Sequence, residues 1–122
     1  MAEPTGPRVL GFNKRANNAA VIEERLRAAG YRAHNFAITD DADGDARLVE
    51  ELQADAWDGV AIGAFINGQH AELPATEQTT HWFNRLLNLV GEHAPGAKIV
   101  LLRKPSEAVA AVERILGPGA PG

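Results

Sequence analysis

The chain contains no cysteine. A disulfide framework, a thiolate nucleophile and a thiolate metal site are therefore excluded. No run of 18 apolar residues occurs either, so no segment reads as a membrane span. The opening "MAEPTGPRVLGF" has neither the charged start nor the long apolar stretch of a signal peptide. Cytoplasm is the expected compartment, and no membrane partner is expected. A basic excess is also missing: 12 Lys and Arg face 16 Asp and Glu, a net charge of −4. Nucleic acid is then not an expected partner, because binders of the phosphate backbone rely on surplus cations. There is no GxxxxGK[ST] phosphate loop and no G-x-S-x-G nucleophile elbow.

What is present fits one α/β domain. A length of 122 residues suffices to bury a core without cross-links. The Pro/Gly-rich ends, 1–7 and 117–122, are expected to fray. Between them, apolar residues alternate between strand and helix periods. "RVLGF" (8–12) reads as a strand. In the helix that follows, Ala19, Ile22, Leu26 and Ala29 share a face, and Gly30 stops it. "YRAHNFAI" (31–38) is a half-buried strand. "ARLVEELQAD" is a helix with Leu48, Val49 and Leu52 inward and Asp43 or Asp45 as its cap. "DGVAIGAF" (58–65) is apolar throughout, as a central parallel strand requires. A third helix within 76–96 carries the stripe Phe83, Leu86, Leu87 and Val90. "AKIVLLR" (97–103) is the fourth strand, and Pro105 opens the closing helix. This alternation predicts a single three-layer α/β/α sandwich, flavodoxin-like or Rossmann-like, whose four-stranded parallel sheet has the order 2-1-3-4. Strands two and four are then edges, and a homodimer is the expected way of covering them.

In open α/β sheets, ligands bind beyond the carboxyl ends of the strands, where the strand order reverses. Here that point lies between strands one and three. Strand one delivers Asn13, Lys14 and Arg15. Strand three delivers "INGQHAELPATEQ", a connection longer and more polar than joining a strand to a helix requires, with Asn67, Gln69 and His70. Strand two brings Thr39, Asp40 and Asp41, and strand four Arg103, Lys104 and Ser106. His70 is the candidate general acid–base. Asn13, Asn67 and Gln69 would orient a substrate. Lys14, Arg15, Arg103, Lys104 and Ser106 would hold a carboxylate or phosphate.

Other motifs carry less. "GFNKRA" (11–16) stands where a dinucleotide-binding domain has GxGxxG, but Asn13 replaces the second glycine, where backbone must approach a pyrophosphate. No nicotinamide, flavin or other cofactor is expected. "DDADGD" departs from a calcium loop, since glycine comes fourth and the twelfth position is Leu52. Glu77 and His81 share a helix face and, with His70 or Glu72, have the donor types of a zinc, iron or manganese site. Such pairs are common on helices, and no metal is assigned. "LLRKPSEAVAAVERIL" resembles the end of response-regulator receiver domains, with Lys104 and Pro105 at the matching positions. Where a receiver has its acidic pair and phosphorylated aspartate, this chain has Asn13-Lys14 and Ala64-Phe65. Two functions stay open: a cofactor-independent lyase, isomerase or hydrolase acting on a polar or anionic metabolite, and a non-catalytic, receiver-like binding or interaction domain.

Overall fold

Parallel strands need a crossover between them, and this chain supplies a helix at each one. A computed structural model describes residues 4–119. The elements are β1 (Arg8–Asn13), α1 (Ala16–Ala28), β2 (Arg32–Ala37), α2 (Ala42–Gln53), β3 (Gly59–Ile62), α3 (Ala64–Asn67), α4 (Glu77–His93), β4 (Lys98–Leu101) and α5 (Ala108–Leu116). A 3-10 turn at Pro105–Glu107 leads into α5. The sheet is wholly parallel with order β2-β1-β3-β4, as expected.

Successive strand residues face opposite sides of a sheet, so each side has its own core. Leu10, Phe12, Val60 and Ile62 meet Leu48 and Leu52 of α2 and Trp82, Leu86 and Val90 of α4. Val9, Ala61 and Val100 meet Ile22 and Leu26 of α1 and Ala108 and Val112 of α5. Each such large side chain contributes about 1.5–3 kcal/mol relative to exposure. The central strands β1 and β3 are buried on both sides, which is why they read as unbroken apolar runs. Among the described residues, no helix is long and apolar enough to cross a membrane.

Four local expectations are corrected. β3 ends at Ile62 rather than Phe65, and Ala64–Asn67 turn into a short helix. Trp82, 3% exposed, takes the inward line with Leu86 and Val90, while Phe83 and Leu87 are only half-buried. Four-residue spacing from Val90 leads back through Leu86 to Trp82, not to Phe83. The cap of α2 is Asp41, not Asp43 or Asp45: its carboxylate accepts the Gly44 N–H at 2.8 Å. Glycine is required at 44, because a Cβ would collide with the Thr39 carbonyl oxygen. The Thr39 hydroxyl also donates to Asp41, at 2.7 Å, and this bond, followed by the Gly44 N–H, holds the Asp41 carboxyl below its ordinary value. Finally, the inner residues of the ends expected to fray are tied down. Gly6 N–H donates to Gly30 O, Arg32 N–H to Pro7 O, and the buried Tyr31 hydroxyl to Gly117 O. The outermost parts of those ends, 1–3 and 120–122, lie outside the described residues.

The two sheet edges differ. On β2, the outward Asn35 N–H donates to the Glu23 carboxylate at 2.9 Å, and Arg27 donates to the Ala33 carbonyl. His34 is held between Glu23 and Glu51, at 3.3 and 2.6 Å. α1 side chains thus occupy that edge. On β4, Ile99 and Leu101 remain 37% and 43% exposed.

Candidate functional site

α1 leaves β1 toward one side of the sheet, and α4 follows β3 on the other. A crevice therefore opens beyond the carboxyl ends of β1 and β3. Two adjoining cavities occupy it. The smaller, of about 80 Å3, is lined by Asn13, Lys14, Arg15, His70, Arg103 and Lys104, with Asn18, Phe65 and Pro105 among its other walls. The larger, of about 390 Å3, is lined by Ile38, Thr39, Asp40, Gln78, Thr79 and Trp82. Lys14 and Phe65 border both. The Lys14 Nζ lies 4.0 Å from the Phe65 ring centroid, so a cation–π pair forms the partition.

Six of the nine residues expected at a site thus meet in one place. Four of them are cations, and no Asp or Glu lines the smaller cavity. Among the described residues, only Lys104 of these four forms an ion pair, with Glu107 at 3.8 Å. Three helical starts at this end lack a side-chain cap: Arg15 precedes α1, Gly63 precedes α3 and Lys104 precedes the 3-10 turn. α2 and α4, by contrast, are capped by Asp41 and by the reciprocal Thr76–Thr79 pair. The free N–H groups of α1's first turn add positive potential where Arg15 and Asn18 line the wall.

Asn13 is the most informative member. It is 6% exposed, yet its Nδ2 has no hydrogen-bond partner among the described residues. Buried donors are nearly always paired, and each exception calls for a cause. The carboxamide fits only because residue 63 is glycine, since a Cβ there would collide with Asn13 Oδ1. Close approach of two strand ends is thus built in around Asn13.

Asn67 is engaged within the fold. It is equally buried, but its Nδ2 donates to Ile62 O at 2.7 Å and to Leu102 O at 2.9 Å. Its Oδ1 accepts the Gln69 N–H at 2.8 Å. With both N–H groups engaged, it ties the ends of β3 and β4 together and has no donor left to orient a substrate. Gln69 is exposed and joins this tie through its backbone alone, and Ser106 is exposed on the 3-10 turn; neither lines the two cavities.

His70 reaches the smaller cavity with its ring edge-on to Phe65, centroids 6.4 Å apart. Its Nδ1 accepts the N–H groups of Glu72 and Leu73, both at 3.1 Å. Those bonds select the tautomer that carries hydrogen on Nε2. In this form the ring's other nitrogen, Nε2, is a donor.

The larger cavity was only partly visible in the sequence. Thr39 and Asp40 are where the end of strand two was expected to bring them. Phe65, Gln78 and Thr79 were missed, because a helical turn and a helix start cannot be oriented from periodicity alone. Trp82 reaches this wall from the inward line of α4. Its indole Nε1–H is buried without a partner among the described residues, as is Asn13 Nδ2, and both residues line the crevice. Arg85 of α4 braces the rim, donating to Asp40 and to Asp45, both at 2.7 Å. These bonds, that to Asp45 first, hold the guanidinium pKa above its ordinary value. Glu77 and His81 lie 3.7 Å apart on a largely exposed surface. Among the described residues, no three His, Asp or Glu are grouped to hold a metal ion.

No protein-family model matches the chain, and a search among curated proteins finds none with significant sequence similarity.

Proposed function

We propose that the chain binds a small polar or anionic metabolite in the crevice beyond β1, β3 and β4. The observation that carries this reading is the unpartnered Asn13 Nδ2 in a cavity lined by Lys14, Arg15, Arg103 and Lys104 without a carboxylate. An anion there supplies the missing acceptor and offsets the clustered charge. The four cations, the first turn of α1 and the Nε2–H of His70 all favour the same ligand chemistry.

Catalysis, as a cofactor-independent lyase, isomerase or hydrolase, rests on His70, the side chain lining the smaller cavity whose ordinary pKa lies nearest neutrality. The engagement of its Nδ1 by two backbone N–H groups favours the second reading, a binding domain without turnover. Mass spectrometry of small molecules released by denaturing the purified protein tests the binding proposal. A stoichiometric anionic metabolite supports it. Incubating that metabolite with the protein and following it by NMR then separates the readings: product formation abolished by His70→Gln identifies an enzyme, and an unchanged spectrum identifies a binding domain.

A further inference from the structure

We infer that the ligand has two parts, a phosphate seated in the smaller cavity and a planar, acceptor-bearing ring seated in the larger, which is the make-up of a nucleoside monophosphate. This rests on the anion site proposed above and adds the second half.

The two cavities are neighbours with a common wall, Lys14 and Phe65, so one molecule can occupy both. Their chemistries differ. The smaller is cationic and has room for a single compact group. The larger, at about 390 Å3, falls within the size range of sites for ring-bearing ligands and has Ile38, Phe65 and Trp82 in its walls. Each has in its lining one residue whose buried N–H lacks an acceptor among the described residues, Asn13 through Nδ2 for the first and Trp82 through Nε1 for the second. Two unmet donors call for a ligand with an acceptor at each end. A phosphate oxygen answers the first, and a ring nitrogen or carbonyl oxygen of a base answers the second. A plain sugar phosphate meets the first demand and leaves Trp82 unanswered. At the rim of the larger cavity, Asp40 is an acceptor for ribose hydroxyls, with Arg85 and Gln78 fixing its orientation. The "GFNKRA" turn disfavours a pyrophosphate, because Asn13 fills the place where its backbone approach would occur. A single phosphate makes no such demand.

The test is NMR titration of the full chain, reading the side-chain N–H signals of Asn13 and Trp82. The probes are the four common nucleoside 5′-monophosphates, their nucleosides, ribose 5-phosphate and inorganic phosphate. At least one monophosphate should shift both signals and bind more tightly than ribose 5-phosphate by about tenfold, the value of one good buried hydrogen bond. Inorganic phosphate and ribose 5-phosphate should shift Asn13 alone, and the matching nucleoside Trp82 alone. Asn13→Asp keeps the shape, sets like charge against the phosphate and should weaken both phosphorylated probes while sparing the nucleoside. Trp82→Phe should reduce the monophosphate to the level of ribose 5-phosphate. A monophosphate that binds no better than ribose 5-phosphate, or shifts Asn13 only, overturns the two-part ligand and leaves the anion site standing. If no phosphorylated probe shifts Asn13, both the inference and the anion site on which it rests fail.

Discussion

Asn13 and Asn67 are both buried asparagines at strand ends, and their removal should have opposite consequences. Asn67→Ala deletes three hydrogen bonds, to Ile62 O, Leu102 O and Gln69 N. At about 1 kcal/mol net for each bond, the loss is about 3 kcal/mol. A domain of this size loses about 4 °C of Tm per kcal/mol, so Tm should fall by about 12 °C. Asn13→Ala breaks no bond at Nδ2, because none exists there. It removes only packing against Gly63, and the cost should be about 1 kcal/mol or less. Circular dichroism melts of the parent and both variants at neutral pH measure the difference. An Asn67→Ala protein that melts with the parent, or an Asn13→Ala protein that melts below Asn67→Ala, refutes the assignment of one as a tie and the other as a ligand group.

His70→Ala removes acceptors for two exposed N–H groups and should cost about 0.5 kcal/mol, while ligand-induced stabilisation is largely lost; a large fall in Tm without ligand contradicts this. The Asp41 carboxyl titrates below its ordinary value of 3.8 in the folded chain, so its cap contributes fully above the unfolded value and fades as pH falls through the folded one. Asp41→Ala should therefore be less stable than the parent at pH 7, and urea melts of variant and parent should converge in strong acid rather than remain parallel. If the chain forms a homodimer, the bare β4 edge with Ile99 and Leu101 is the surface we propose, since α1 side chains occupy β2. Sedimentation equilibrium should then show a dimer for the parent and a monomer for Leu101→Lys, and a parent that stays at 13.0 kDa at high concentration removes the idea.

The arrangement of the sheet was legible because it depends on coarse alternation. Four apolar strands separated by helical stripes leave few topologies, and right-handed crossovers select 2-1-3-4. Details that depend on neighbours remote in sequence were not legible. Asn13 and Asn67 look alike as residues after strands; only Leu102 O, brought alongside by β4, shows that Asn67 is already engaged. Asp43 and Asp45 are the caps the pattern suggests, and the Asp41 carboxylate, which accepts the Gly44 N–H, takes that place instead. "GAF" continues the apolar run of β3, and nothing in its hydrophobicity reveals that a helix starts at Ala64 or that the missing Cβ of Gly63 admits Asn13. The cationic cluster was legible for a different reason. Charges at strand ends are placed by topology alone, so Lys14, Arg15, Arg103 and Lys104 meet whatever their rotamers.

Thermal shift of the parent and of Asn13→Asp against the same library of anionic metabolites tests most directly whether the crevice is a ligand site. A ligand at a hundred times its Kd stabilises a folded protein by about 2.7 kcal/mol, which corresponds here to about 10 °C. At least one metabolite should raise the parent's Tm by that order and leave Asn13→Asp, folded and melting near the parent, almost unmoved. Equal shifts in the two proteins would place the ligand elsewhere, and a library that shifts neither would contradict an anion site at Asn13.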